Sequence, residues 1–289
     1  MPELPEVETT KASLAPLLGK MIDGVQIHHP KLRYEIPKDL VNLVGFKLVN
    51  VRRRAKYLLL DFLQEQDNNH KTLLIHLGMS GSLQQHTHQQ VRKHDHVIIE
   101  FGDVWLHYHD PRRFGMLLWV ENDDYIDRPD TAQRFLDHLG VEPLSDEFGK
   151  DYLYKTIYRT HDLTKKSIAK PIKSLIMEQS VVVGVGNIYA AESLFLSGIH
   201  PAKPANQLDE SSLETLTHHI KTILAKAIKQ GGSSLKDFTV GNGKTGYFQQ
   251  TLLVYGRAGE HCTVCQSLLE NQKIGGRASV YCPTCQPLT

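Results

Sequence analysis

The sequence predicts an α+β protein built in three parts: a β-rich first part, a helical second part and a short metal-bound tail. Three observations carry this. Short β-prone runs crowd into residues 24–120, helical periodicity takes over after about residue 131, and all four cysteines lie beyond residue 261. The chain has 289 residues, 40% hydrophobic and 22% charged, enough for two cores. No run of about 18 apolar residues is present, so no membrane span is expected. The start, MPELPEVETT, is acidic and lacks a signal-peptide core, which makes a cytoplasmic location the expectation. Net charge is only +1, from 33 basic and 32 acidic residues. Any anion-binding face must therefore come from local clustering. The sixteen histidines add positive charge only as pH falls.

The first element is a helix over Pro5–Leu18. Pro5 suits the first turn, Glu6 and Glu8 favour its positive end, and Val7, Leu14, Leu17 and Leu18 share a face. Gly19 ends it, and Pro16 requires a distorted last turn. Strands follow at Gly24–His28, Phe46–Arg53, Tyr57–Phe62, Thr72–Leu77, His96–Phe101, Val104–Tyr108 and Met116–Val120. This spacing points to a sandwich or a barrel. Leu40–Val44 reads as a short helix. Helices are then expected at Thr131–Leu139, Ser145–Arg159, Pro171–Gln179, Ile188–Ser197 and Ser211–Gln230. Gly231–Tyr247 carries five glycines and reads as a mobile loop. The domains expected are 1–131, 132–250 and 251–289.

In the tail, Cys262 and Cys265 form one close pair, and Cys282 and Cys285 another sixteen residues later. Four thiolates in two such pairs suit one tetrahedral structural zinc (Zn2+) in a zinc ribbon. A tail this short has too little core to fold alone, so the metal would supply folding energy. Four sulfur ligands leave no open position, which excludes a catalytic role for that ion.

At the other end, Met1-Pro2 is a sequence from which the initiator Met is usually removed. That leaves a secondary amine on Pro2. Its reference pKa near 8 leaves a fair fraction neutral and nucleophilic, where a lysine would need a much larger shift. Such an amine can attack a sugar carbon and form an iminium, with Glu3 and Glu6 near for proton transfers. Read from the residues alone, the reactive-amine reading is weak, and the plain start of an amphipathic helix is the favoured one.

MPELPEVE, RRAKYLLL at 53–60, HLGMSGSL at 76–83, KHDH at 93–96 and DPRRFG at 110–115 follow one another in the first half. GVGNIYAAESLF at 184–195, GGSSLKDF at 231–238, GYF at 246–248, VYGRAGEHC at 254–262 and GRASVYCPTCQ at 276–286 complete the series. In this order and over nearly the whole chain, these motifs resemble the formamidopyrimidine-DNA glycosylase family, the bacterial 8-oxoguanine glycosylases.

The resemblance implies a β-sandwich flanked by helices, a helix–two-turn–helix domain over Pro171–Leu196, and a zinc ribbon. It implies a monomer that binds double-stranded DNA and releases oxidised purines, then cuts the strand by β,δ-elimination. Pro2 would be the nucleophile, Glu3 the acid–base residue, and Glu6 an anchor for the first helix. Lys56 would act near the reacting sugar, and Arg277 would grip the phosphates around the lesion. Met79, Arg112 and Phe114 would fill the gap left by an extruded base. Physically, Met and Phe supply apolar wedges and Arg a donor fork for the opposite cytosine.

His76 and His94 would face phosphates, as would Asn187 at a helix start. Lys173 would contact phosphate or lesion, and which of Lys165–Lys170 assists it is left open. The glycine loop would close over 8-oxoguanine. His94–His96 and His107–His109 also form HxH pairs that share strand faces, but a second metal is not favoured. Two rivals remain at this level. One is an endonuclease VIII-like enzyme for oxidised pyrimidines, disfavoured by Leu4, Met79 and Arg112–Phe114. The other is a noncatalytic DNA-damage binder, disfavoured by the reactive set Pro2, Glu3, Lys56 and Arg277.

Overall fold

The computed structural model describes residues 2–120, 132–162, 164–232 and 252–288. The chain divides into two units, Met1–His138 with Gln230–Gln249, and Leu139–Lys229 with Gln250–Thr289.

The first unit opens with helix α1, Leu4–Ser13. A reciprocal capping box starts it: the Glu3 carboxylate accepts from the backbone of Glu6, and the Glu6 carboxylate accepts from the Glu3 N–H at 2.7 Å. Pro16 sits in a tighter 3-10 turn, Ala15–Leu17, so the expected helix to Leu18 breaks early. Val7, Leu14 and Leu17 enter the core, but Leu18 is exposed, beyond the helical face that placed it there.

Among the described residues, eight strands then form two antiparallel sheets. They are β1 Gly24–Ile27, β2 Lys47–Arg54, β3 Tyr57–Gln64, β4 Asn69–His76, β5 Ser82–His86, β6 Asp95–Phe101, β7 Val104–His109 and β8 Met116–Val120. The sheet orders are β1-β6-β7-β5 and β2-β3-β4-β8. Alternate residues explain the layering. Leu58, Leu60 and Phe62 of β3, Leu73 and Ile75 of β4, Val97, Ile99 and Phe101 of β6, and Leu106 and Tyr108 of β7 form one core. On the opposite face, Leu59, Leu74, Met116 and Leu118 pack with Ala132.

Strand β5 carries no signature in the sequence, because SLQQH lacks apolar alternation. It exists because it pairs with β7, Leu83 opposite Tyr108 and Gln84 opposite His107. The helix expected at Leu40–Val44 is a 3-10 segment, Lys38–Leu43, that buries Leu40 and Leu43.

The second unit holds α2 Lys150–Tyr158, α3 Ile172–Ile176, α4 Asn187–Leu196 and α5 Glu210–Lys229, then a hairpin of β9 Glu270–Ile274 and β10 Arg277–Tyr281. Helix α5 buries Leu213, Leu216, Ile220, Leu224 and Ala227 at helical spacing. Helix α2 starts at Lys150, after Gly149, and not at Ser145, whose N–H closes a turn on Glu142. Helix α3 stops at Ile176, three residues short of expectation. Of the helix expected over Thr131–Leu139, the described part forms only a 3-10 turn in the first unit, Gln133–Phe135. The loop expected at Gly231–Tyr247 lies, beyond Gly232, outside the described residues. Among the described residues no helix is long and apolar enough to cross a membrane.

Candidate functional site

In the first unit, the capping box ties the start of the chain to α1. Pro2, Glu3 and Glu6 are all buried. Glu6 serves the helix, as expected from the sequence. Lys56 occupies the two-residue turn between β2 and β3, where Arg54 pairs with Tyr57 and Ala55 takes the left-handed conformation. Helix α1 packs on both strands of this hairpin. Arg53 strengthens that contact, with Nε 2.6 Å from the Glu8 carboxylate and a second guanidinium nitrogen donating to the Ala55 carbonyl at 3.0 Å. Burial opposes charge on Glu8, but its bonds to Lys11 and Arg53 hold the carboxyl below its usual range. Arg52 instead grips Asp61 with two bonds of 2.7 Å at the surface.

His76 ends β4 opposite Tyr57, so the register brings it beside the Lys56 turn. Burial, then the charges of Lys56 and Arg33, push its pKa down to about 4. Its Nδ1 accepts the Gly78 N–H at 3.1 Å. The ring is thus neutral near pH 7 and carries its proton on Nε2, a donor and not a cation. Arg33 was not singled out in the sequence. It lies in an irregular stretch, HPKLRY, where no periodicity marks it.

Two turns lie side by side at this same end of the sheet, where β4 ends at His76 and β8 begins at Met116. One holds Leu77–Gly81, the other Asp110–Gly115. Met79 and Phe114 are 40% and 47% exposed, so neither is a core residue. The Arg112 guanidinium stacks 5.2 Å from the Phe114 ring. His94 is left-handed, half-buried, and offers its carbonyl to the Asp110 N–H at 3.0 Å. The HxH pairs have a structural explanation. Asp95 accepts from His107 Nδ1 at 2.8 Å and His109 Nδ1 at 2.9 Å, and it also bonds Arg92. Burial opposes its ionisation, yet these bonds hold its carboxyl far below the usual range. His96 Nε2 bonds the Asp110 carbonyl at 2.8 Å.

In the second unit, α3 and α4 flank the turn that contains GVGN, with Asn187 opening α4. The hairpin lies against this pair. Lys173 is buried, with Nζ 2.7 Å from Ser279 Oγ and 3.2 Å from the Ala278 carbonyl. Asn187 Nδ2 donates to the same carbonyl at 3.2 Å, and its Oδ1 is buried without a partner. Both side chains therefore touch the strand that Arg277 begins. Arg277 is exposed and follows directly on Gly275-Gly276, both left-handed (φ +57 and +79), as a tight two-residue hairpin turn demands. Lys165 pairs with Asp162 and Lys170 with Glu178.

Glu192, another residue not singled out, is buried in α4 and accepts the N–H groups of Leu253, Val254 and Tyr255 at 2.8–3.0 Å. It fixes the chain where the tail begins.

The sulfurs of Cys262, Cys265, Cys282 and Cys285 all lie within 4.8 Å of one another, the sole such group of ligands among the described residues. Separations of 3.4 Å (Cys265–Cys282) and 3.9 Å (Cys262–Cys285) exclude disulfides and bracket the ~3.8 Å edge of a tetrahedron with 2.3 Å zinc–sulfur bonds. Backbone N–H groups of Val264 and Cys285 point at Cys262 and Cys282 sulfurs, each at 3.4 Å. The four residues fit one structural zinc.

A β-sandwich with a lysine-bearing hairpin, joined in sequence to a helix–two-turn–helix and a four-thiolate hairpin, defines a DNA-repair glycosylase with a zinc finger. Comparison with known proteins agrees. Residues 1–117 match the formamidopyrimidine-DNA glycosylase N-terminal domain, and 139–239 match that family's H2TH domain. The chain is 55% identical to the formamidopyrimidine-DNA glycosylase of Psychrobacter arcticus over 100% of this chain and 99% of the relative. It is 50% identical to that of Acinetobacter baylyi, over 100% and 99%. Among solved structures, the Thermus thermophilus Fpg protein superposes with a TM-score of 0.82 at 34% identity, covering 100% of both chains. Wild-type Lactococcus lactis Fpg, in a complex with DNA containing N7-benzyl-Fapy-dG, gives 0.84 at 35% identity, over 99% and 100%. The chain belongs to the formamidopyrimidine-DNA glycosylase family, bifunctional glycosylase/lyases that remove oxidised purines. The oxidised-pyrimidine and noncatalytic alternatives give way to this assignment.

Proposed function

We propose that this chain excises 8-oxoguanine and formamidopyrimidines from duplex DNA with the Pro2 amine, freed by removal of Met1, as nucleophile. The observation that carries DNA action is the exposed trio Met79, Arg112 and Phe114 on two buttressed turns. Apolar groups held rigidly in water are suited to enter a base stack, and Arg112 has the fork to read an opposite cytosine. A solved relative in a complex with carbocyclic 8-oxo-G DNA supports the substrate class.

In the proposed reaction, the Pro2 nitrogen attacks C1′ of the extruded nucleotide and the bond to the base breaks. Glu3 shuttles the protons that open the sugar and leave an iminium. Loss of a C2′ proton then expels the 3′ phosphate, and a second elimination expels the 5′ phosphate. Lys56 supplies positive charge near the sugar, and Arg277 holds the phosphates. His76, neutral with Nε2–H, donates to phosphate, as do Asn187 and the His94 turn. Lys173 assists through the strand that carries Arg277. Cys262, Cys265, Cys282 and Cys285 would hold a zinc that supplies folding energy and no chemistry.

The protein would work as a cytoplasmic monomer, divided as 1–131, 132–250 and 251–289. Borohydride reduction with an 8-oxoguanine:cytosine duplex tests the reading. It should give a covalent protein–DNA band whose peptide carries the sugar on Pro2. A retained Met1 in fully active protein would overturn it, as would equal activity with a residue unable to form an iminium.

A further inference from the structure

One buried side chain joins the two exposed turns. Asp110 is fully buried, and both carboxylate oxygens are used. Oδ1 accepts from Ser80 Oγ at 2.7 Å and from the Arg112 N–H at 3.3 Å. Oδ2 accepts from the Gly115 N–H at 2.9 Å. Ser80 Oγ also accepts from the Arg112 N–H, at 3.2 Å, which closes a small ring of bonds between the turns. The main chain of Asp110 is held as well, by the His94 carbonyl and by His96 Nε2.

The turns cannot separate or slide without loss. A Cβ on left-handed Gly78 would lie 2.4 Å from the Phe114 carbonyl carbon, and one on Gly115 would lie 2.7 Å from the His76 carbonyl oxygen, just before the Met79 turn. The backbones thus touch at two glycines, and the carboxylate locks them there. Met79 is next to Ser80 on one turn. Arg112 and Phe114 sit between the Asp110 and Gly115 bonds on the other.

We propose that Asp110 is a positioning residue that couples the Met79 turn to the Arg112–Phe114 turn and so sets discrimination of the base opposite the lesion. The inference rests on the void-filling reading of that trio. A wedge filling one gap from two turns works only if the turns keep a fixed offset. The fork of Arg112 reads one base edge only if its own backbone is fixed. Asp110 supplies both constraints through Ser80 Oγ, the Arg112 N–H and the Gly115 N–H.

The test uses full-length protein on 8-oxoguanine opposite cytosine and opposite adenine, with kcat/KM measured for each. D110N keeps one acceptor oxygen but sets an amide against one of its present donors. The ratio of the two kcat/KM values should fall by about tenfold, within the range of one bidentate base contact. S80A removes a single hydroxyl from the ring and should lower the same ratio by a few-fold, so the idea stays testable if D110N fails to melt cooperatively. D110N combined with R112A should lose no more discrimination than R112A alone. Equal losses opposite both bases, or an unchanged ratio in D110N and S80A, would overturn the proposal. If R112A itself kept full discrimination, the void-filling reading would fall instead.

Discussion

His76 illustrates how one residue's chemistry depends on its neighbours. In sequence the family resemblance places it facing phosphate and leaves its charge undefined. Folded, it lies beside Lys56 and Arg33, with burial and their charges pushing its pKa to about 4 and Nδ1 occupied by Gly78. Nitrogen NMR at pH 6 should show a neutral ring protonated at Nε2, and an imidazolium signal would contradict this. The same shift sets a pH dependence. Above pH 6.5 the ring is neutral in folded and unfolded chains alike. Between 6.5 and about 4, only the unfolded chain takes up the proton, so stability falls as pH drops through that window. Thermal melts of H76Q against the parent should show a shallower acid slope, and an identical slope would remove His76 as the cause.

Lys173 and Asp110 carry the same lesson. Lys173, which the resemblance makes a phosphate or lesion contact, is buried with its Nζ on Ser279. Asp110 is plain text within DPRRFG, and only its three hydrogen-bonded donors reveal what it joins. No local pattern encodes a partner thirty residues away.

Among elements, two ends are set by local rules and can be tested as such. The start of α1 rests on Glu6 accepting the Glu3 N–H. E6A should cost about 1 kcal/mol of stability, typical of a lost cap. E6Q, which keeps an acceptor, should cost much less, and equal losses would show that burial rather than capping is at work. In the hairpin, Gly275 is left-handed and a Cβ there would lie 2.7 Å from Ser174 Oγ. G275A should destabilise by ~1 kcal/mol or more. It should also slow strand scission by displacing Arg277 while zinc content stays at one. Unchanged scission would separate the turn from the role of Arg277.

The strands were legible where Val, Leu, Ile and Phe alternate, as in β3 and β6. β5 was not, because SLQQH owes its place to pairing with β7. The ends of α2 and α3 were overextended, since helical periodicity does not show where a turn captures the backbone first.

At the scale of the molecule, the two units differ in what holds them. The sandwich has a large apolar core shared by both sheets. Among the described residues, the tail has a small apolar cluster of Val254, Leu269, Val280 and the cysteines, with Leu253 and Tyr255 at its edge, packed against Ala191 and Phe195. Chelation of zinc should therefore abolish amide-exchange protection across residues 254–282 while residues 47–120 stay protected. Protection kept in the tail after metal loss would refute the structural role. DNA affinity should fall with added salt, because a chain of net charge +1 must neutralise phosphates through locally placed basic side chains and not through its overall charge.

The sequence alone determined the family, seven of the eight described strands of the sandwich and the four cysteines that fit a zinc. These are fixed by motif order, side-chain periodicity and cysteine spacing, all properties of neighbouring residues. Only the tertiary structure decided that His76 is a neutral donor, that Lys173 serves the hairpin, that Asp95 satisfies the paired histidines, and that Asp110 locks two turns together. Protonation, desolvation and hydrogen-bond geometry depend on groups far apart in the chain, and they acquire values only when folding brings those groups within a few ångströms.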